Sequence, residues 1–347
     1  MSLNAILKYL KRTTSAKSKD IDKENRYKQY VYRQRYIICD IIMRGFDDIK
    51  LNVVDVGADF FKNRHHWHYF DPSRLTVHVF DVDRRHNTAE SEIDQRGVEW
   101  AFYPYAVSDK EEPMLVHLPK NPINASCFLP NEELLQFGSY NQEPWTIFPI
   151  EKTVELPGIA LDIWKNRYNV GTIDLLKMNI QGKELAVLQG GRSVVEDAIA
   201  IEIEMSFSQT YLSAPLFSDI DPVLRANNFE FFDLIGPNMC SFKDTPIRFA
   251  ESRNLQSWAF PRHKLFEGHF LYFRDPFACP KNRQLPTDKL LKLACVAEVY
   301  GHVEYSFAIL NWLHGARPEF REKILDIVTE AADVYRDVFK GRPGFAH

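Results

Sequence analysis

The residues best placed to do chemistry stand at the ends of short apolar runs. Val54-Asp55-Val56-Gly57-Ala58-Asp59 closes the first of them. In open parallel sheets, ligands sit beyond the carboxyl ends of strands, where the chain order reverses. A glycine there lets the backbone pass close to a ligand, and a following helix offers unpaired N–H groups. Asp81 closes the next run, Leu75–Phe80, about two dozen residues later, where a carboxylate can accept two hydrogen bonds from a ribose diol. A solvated loop made by Asp81, Asp83, Arg84 and Arg85 accounts for the same residues equally well. Tyr105-Ala106-Val107-Ser108-Asp109 closes a third run, and its small Ala106 and apolar Val107 suit one face of an adenine ring. Lys177, Met178 and Asn179 close a fourth and Glu204 a fifth. Glu204 is the best-placed general base, with Glu202 and His269 as further candidates; an ion pair holding the following loop is the alternative role for Glu204. Lys177 suits either an ion pair with a strand-end carboxylate or a contact with substrate.

Other groupings carry less. His65-His66-Trp67-His68 invites a metal, but adjacent histidines do not converge on one ion and no second ligand cluster is evident, so a loop is expected there. Cys39, Cys127, Cys240, Cys279 and Cys295 are odd in number, irregularly spaced and without a CxxC pair, which reads as free thiols in a reducing cytoplasm. A net charge of −4 gives no general attraction to nucleic acid or anionic membranes. The longest apolar run, around Ile37–Met43, is too short to span a bilayer, and residues 1–20 lack the layout of a secretory signal. Composition, 45% hydrophobic and 26% charged, is that of a globular protein with a packed core.

The elements that must position these residues follow from periodicity. Residues 21–45 predict a helix, with Tyr27, Val31, Ile38, Ile41 and Ile42 on one face and Gly45 as the stop. Strands are predicted at Leu51–Gly57, Leu75–Phe80, Glu99–Ala106, Ile173–Ile180, Ala198–Glu204, Phe229–Leu234 and His269–Phe273. Helices at Gly182–Gly190 and Ser218–Asn227 alternate with them, which implies a mostly parallel α/β sheet with helices on both faces. Residues 110–153, rich in proline and asparagine, predict an irregular or hairpin-bearing insertion that closes over the site as a lid. Asp288–Tyr300, Val303–Leu313 and Glu319–Phe339 predict three C-terminal helices. The division expected is an N-terminal helical segment 1–48, a central domain 49–280 and a C-terminal helical cap 281–347 that could also serve as a homo-oligomer contact.

One stretch points further. Ile173-Asp174-Leu175-Leu176-Lys177-Met178-Asn179-Ile180-Gln181-Gly182-Lys183-Glu184-Leu185-Ala186-Val187-Leu188-Gln189-Gly190-Gly191 closely resembles the signature of FkbM-type methyltransferases, I-D-L-L-K-x-D-x-[EQ]-G-x-E-x-x-V-L-x-G. Asn124-Ala125-Ser126, Ile159-Ala160-Leu161-Asp162, Ile201-Glu202-Ile203-Glu204, Tyr211 through Phe217, Asn228-Phe229 (for the usual Gly-Phe) and His269–Arg274 extend it over about residues 50–275. The resemblance implies a Rossmann-like class I sheet with a final antiparallel strand, binding S-adenosyl-L-methionine and methylating a hydroxyl on a sugar or natural product. By position, Asp55, Gly57, Ala58 and the adjoining Asp59 would lie near the methionine part and Asp81 at the ribose. Ala106 and Val107 would flank adenine, and Met178 would line the mouth of methyl transfer. Phe61 stands where the family usually shows a second glycine, and its ring would narrow the backbone approach to the cofactor unless the loop takes another path. Asn179 replaces the signature's acidic residue; it cannot act as a base and is a weak ligand for a hard cation, which implies transfer without a metal. These two departures favour the alternative of a non-catalytic binding or assembly module on the same fold.

Overall fold

The computed structural model describes residues 36–57, 70–82, 97–121, 124–139, 148–242 and 264–339. Ala58, Asp59, Phe61, His65–His68 and the first part of the predicted N-terminal helix lie outside them. Helix α1 runs over Ile37–Gly45 and buries Ile38, Cys39, Ile41, Ile42 and Met43. Two short runs follow, β1 (Leu51–Val56) and β2 (Leu75–Phe80), each buried on both faces. Such strands belong in the middle of a parallel sheet covered on both sides. Cys39, Cys127, Cys279 and Cys295 form no disulfide, and no helix among the described residues is long and apolar enough to cross a membrane.

The predicted strand Glu99–Ala106 divides. β3 (Glu99–Tyr103) stays beside β2, the chain turns at Pro104-Tyr105, and β4 (Ala106–Ser108) enters a second sheet. Proline has no N–H for a ladder, and the Tyr105 N–H is taken locally by the Tyr103 carbonyl at 2.9 Å. The insertion is hairpin-bearing. β5 (Pro113–Pro119) pairs antiparallel with β7 (Ile150–Ala160), and together with β4 they make the three-stranded sheet β4-β7-β5. Between them come α2 (Glu132–Phe137) and the two-residue β6 (Gly138–Ser139).

Four more strands and four helices complete the central layer: α3 (Leu161–Arg167), β8 (Leu175–Met178), α4 (Glu184–Gly190), α5 (Arg192–Asp197), β9 (Ala200–Ser206), α6 (Phe217–Ala226), β10 (Glu230–Phe242) and β11 (Lys264–Phe273). The main sheet has the order β3-β2-β1-β8-β9-β11-β10-β6. Strands β3, β2, β1, β8 and β9 are parallel, and β11 runs antiparallel to both β9 and β10. The chain order reverses between β1 and β8. Asn228, just after α6, holds φ +63°, a left-handed turn that asparagine tolerates best after glycine. That explains why Asn228-Phe229 can stand in for Gly-Phe.

Alternation sorts the strand residues onto two faces. Val54, Val56, Phe80, Leu176, Met178, Ile201, Ile203, Phe270 and Tyr272 pack against α3–α6. On the other face, Leu51, Val53, Leu75, Val77, Val79, Leu175, Ala200, Leu271 and Phe273 pack against α1 and three C-terminal helices. These are α7 (Thr287–Val299), α8 (Val303–Ala316) and α9 (Arg321–Phe339). Every residue of α7 from Leu290 to Val299 is buried, as expected of a helix with neighbours all round.

Charges fix this layer in register. Asp174, just before β8, is 1% exposed and meets the ammonium groups of Lys289 at 2.8 Å and Lys292 at 3.0 Å, both on α7. Glu298, near the end of α7, accepts the N–H groups of Ile38 at 2.8 Å and Cys39 at 2.7 Å. These are orphan donors in the first turn of α1, which has no side-chain cap of its own. The Tyr335 hydroxyl of α9 also donates to Glu298, so one buried carboxylate joins three helices.

Candidate active site

On the α7 face the strands are apolar at one end and charged at the other. β1 goes from Val53 to Asp55, β8 from Leu175 to Lys177 and β9 from Ala200 to Glu202 and Glu204. β11, running the opposite way, places Glu267 and His269 beside them. Register puts Asp55 across from Lys177, Lys177 across from Glu202, and Glu204 across from His269. The result is a row of ionisable groups along the carboxyl ends of the parallel strands.

Lys177, 1% exposed, lies 2.9 Å from the Asp55 carboxylate and donates to the Gly57 carbonyl at 2.7 Å. Of its two expected roles, the ion pair is the one seen. Glu202 accepts from the Tyr300 hydroxyl at 2.6 Å, a residue that closes α7. His269 lies between two carboxylates, with Nδ1 3.5 Å from Glu202 Oε1 and Nε2 3.5 Å from Glu204 Oε1. Gly236 of β10 makes room for the ring, since a Cβ there would come within 3.2 Å of His269 Cδ2. Glu204 Oε2 accepts from Gln181 Nε2 at 2.7 Å, and the same amide reaches Asn179 Oδ1 at 3.0 Å. Glu267 accepts from Ser206 at 3.3 Å and from Asn238 at 3.2 Å.

Burial, aided by the neighbouring Glu267 carboxylate, pushes the Glu204 carboxyl up to about 8. For His269, burial opposes the charged ring, but Glu202 and Glu204 outweigh it and hold the imidazole above its ordinary range. Both groups are thus shifted upward, and two groups this close titrate as a coupled pair.

The signature loop explains how Gln181 arrives there. Gln181 and Gly182 both take positive φ, +57° and +114°. Glu184, at the start of α4, accepts the N–H groups of Ile180 and Gly182, each at 2.9 Å, and so clamps the turn from inside. The Ser126 hydroxyl donates to the Gln181 carbonyl at 2.7 Å, and the Tyr211 hydroxyl donates to the Asn124 carbonyl at 3.2 Å. Asn124-Ala125-Ser126, the signature loop and the segment from Tyr211 therefore meet in space although they are distant in sequence. Beyond Glu204 the chain leaves a cleft lined by Gln181, Glu204, Ser206, Ser208, Thr210 and Tyr211, among others.

Gly57 is demanding for a reason the sequence does not reveal. Its φ is +77°, and a Cβ would come within 1.9 Å of the Asn179 carbonyl oxygen. Its N–H donates to the Phe80 carbonyl at 2.9 Å, while the Asn179 N–H donates to the Val56 carbonyl at 2.9 Å. One glycine thus draws together the ends of β1, β2 and β8. Half-buried Asp81 stands one residue beyond that Phe80 carbonyl. The side chains of Met178 and Val107 are buried in the core under α3–α6, and Ala106 in a small core with Met114 and Val116. Asp55, Gly57 and Asp81 are therefore gathered at the sheet's reversal, with Asn179, Gln181 and Glu204 beside them. Gln181 and Tyr300 were not singled out from sequence; the first occupies the signature's [EQ] position, and nothing local marks the second. Among the described residues, no group of three or more His, Cys, Asp or Glu is arranged to hold a metal ion.

A search of curated proteins finds no match. The family model described as the methyltransferase FkbM domain matches residues 55–231, just over half of the chain. That span begins at the buried Asp55, includes the whole signature loop and ends on β10. The chain belongs to the FkbM methyltransferase family.

Proposed function

We propose that the protein transfers the methyl group of S-adenosyl-L-methionine to a hydroxyl of a sugar or natural-product acceptor. The observation that carries this reading is the convergence at the chain reversal between β1 and β8. Asp81 and Gly57 lie on one side of it, and a cleft bearing Glu204 lies on the other. Ligands of open α/β sheets bind at such a reversal. The antiparallel β11 between β9 and β10 is the closing strand that a Rossmann-like class I methyltransferase would carry.

The donor set suits the cofactor. A half-buried carboxylate just past a buried strand, as at Asp81, can take both hydroxyls of a ribose. Lys177 neutralises Asp55 and holds the Gly57 carbonyl, so the turn is rigid before any ligand arrives. The cofactor, when bound, supplies a methyl carbon activated by a sulfonium leaving group. The chain must then hold the acceptor oxygen in line with that carbon and exclude water. It must also take the hydroxyl proton; of the two carboxylates lining the cleft, Glu184 is committed to the N–H groups of Ile180 and Gly182, which leaves Glu204. Neutral Asn179 at the strand end favours a route without a divalent metal.

Calorimetry with S-adenosylhomocysteine, paired with labelled methyl transfer to a panel of hydroxylated acceptors, tests the proposal. Asp81→Ala should weaken binding roughly tenfold to a hundredfold. Unchanged affinity would remove Asp81 from the site, and a wild-type protein that binds no cofactor would overturn the reading.

A further inference from the structure

We propose that Glu204 takes the acceptor's proton as one end of a buried relay, Glu204–His269–Glu202–Tyr300, whose last member comes from the C-terminal helical layer. This rests on the methyl-transfer reading and adds residues to it that the family match, ending at 231, does not include. Glu204 is the catalytic residue of the set, because it alone of the four lines the cleft. His269, Glu202 and Tyr300 are positioning residues.

The geometry is that of a base held by an orienting chain. Glu204 Oε2 is committed to the Gln181 amide at 2.7 Å, which turns Oε1 toward His269 Nε2 at 3.5 Å. The opposite ring nitrogen faces Glu202 Oε1 at 3.5 Å, and Glu202 Oε2 is fixed by the Tyr300 hydroxyl at 2.6 Å. Separations of 3.5 Å are looser than a hydrogen bond, as is common for catalytic pairs before substrate binds. The charged groups around the ring support one shared proton. Glu202 and Glu204 face it from β9 and Glu267 adjoins on β11. Lys177, already paired to Asp55, opposes from β8, Glu184 of α4 adds a further carboxylate near Glu204, and from β10 Gly236 lies against the ring while Asn238 bonds Glu267. Three carboxylates so close to one another cannot all remain bare, and the imidazole is the group able to hold a proton for them.

The step balances simply. With His269 carrying its single ring proton on Nδ1, toward Glu202, and Nε2 bare toward Glu204, the Glu204 carboxylate removes the acceptor's O–H proton as the oxygen attacks the methyl carbon. The O–CH3 bond forms, the S–CH3 bond breaks with its electron pair left on sulfur, and the proton ends on Glu204 Oε1. Nε2 is the exit for the relay, since Glu202, held by Tyr300, keeps Nδ1 protonated.

The test uses the full chain with 15N-labelled histidine, with His269→Gln to assign the resonance. The imidazole of His269 should titrate above its ordinary value and fall by about a full pH unit or more in both Glu204→Gln and Glu202→Gln. A ring that titrates at or below its ordinary value, or that is unmoved by Glu204→Gln, would overturn the relay. Labelled methyl transfer supplies the second arm. His269→Gln and Glu204→Gln should keep S-adenosylhomocysteine affinity, lose roughly a hundredfold or more in kcat and change the pH profile, because general-base assistance is worth about 10²–10⁴-fold. Wild-type kcat and pH profile in His269→Gln would also sink it. If the wild-type protein binds no S-adenosylhomocysteine, the methyl-transfer reading itself falls and takes the relay's role with it, whatever the imidazole titration shows.

Discussion

Replacing Asp174 with Asn tests whether the C-terminal helices are structurally part of the domain. Asp174 belongs to the signature stretch, yet its carboxylate does no chemistry. It is 1% exposed, and its two oxygens meet Lys289, 12% exposed, and Lys292, 10% exposed, at 2.8–3.1 Å. It also accepts the Asn52 N–H at 3.0 Å, which ties β1 to the same point. An amide of the same shape keeps the space filled and one acceptor in place, but removes the carboxylate that, among the described residues, pairs with both of these largely buried ammonium groups. Lys289 would retain the carbonyls of Ile173 at 3.2 Å and Asp197 at 2.8 Å. Among the described residues Lys292 bonds to Asp174 alone, and it would carry most of the cost. Breaking a buried pair from one side typically costs about 3–5 kcal/mol, a third or more of the stability of an ordinary domain. Urea unfolding of the full chain should show that loss, with hydrogen exchange in α7 accelerating more than in α4 on the opposite face. Removing one cation as well, in Asp174→Asn with Lys292→Met, should recover part of it, because the two changes share one interaction. A loss below about 1 kcal/mol, or exchange in α7 that does not change, would refute the idea that this carboxylate pins the helical layer to the sheet.

Gly57→Ala should cost at least about 3 kcal/mol, because the change combines a left-handed backbone angle with a Cβ placed 1.9 Å from the Asn179 carbonyl; a soluble variant with near wild-type urea midpoint would mean that the turn has room to move. Burial raises the Glu298 carboxyl from 4.5 to about 7, so between those values the folded chain holds a proton that the unfolded chain has released. Stability from this group is therefore full below about pH 4.5 and lost as pH rises through 7, by roughly 3 kcal/mol in all. Glu298→Gln should shrink the wild-type fall in unfolding free energy between pH 5 and pH 8 by about that amount, and an equal fall in both proteins would clear Glu298 of any part in it.

Much of the fold is legible in the sequence because hydrophobic period survives without tertiary information. β2 occupies Leu75–Phe80 as its apolar run predicts, and β1, β8 and β9 depart by a residue or two at the ends. The strand expected over Glu99–Ala106 fails at Pro104, where a missing N–H outweighs a continuous apolar run. β10 and β11 run well beyond their predicted ends at Leu234 and His269, since an antiparallel pair is held by its partner ladder as well as by its own pattern. In the site, residue types were readable and relations were not. Alternation shows that Asp55, Lys177 and Glu202 each share a face with their own strand's core residues. Only the register between strands makes them neighbours, and that depends on contacts far apart in sequence. Tyr300 is the extreme case, a helix-end tyrosine whose only distinction is the carboxylate it meets, 98 positions away along the chain.

The extent of the family match and the extent of the folded unit differ for a physical reason. Residues 55–231 contain the turn, the signature loop and most of the parallel strands, the parts that a motif can describe. Taken alone, that span would leave β9 without its β11 partner and the apolar row Val77, Val79, Leu175 and Ala200 without the helices that cover it. Fully burying each large apolar side chain is worth about 1.5–3 kcal/mol, so even a few left bare would consume the stability of a domain. The same missing residues are those that complete the ionisable row: His269 comes from β11 and Tyr300 from the end of α7. Glu202 and Glu204 would otherwise stand as adjacent carboxylates on an edge strand, repelling each other with no imidazole between them. The C-terminal helices cover the sheet's apolar half, and through Tyr300 they reach its charged half. The layer that buries the core is thus also the layer that sets the electrostatics of the cleft.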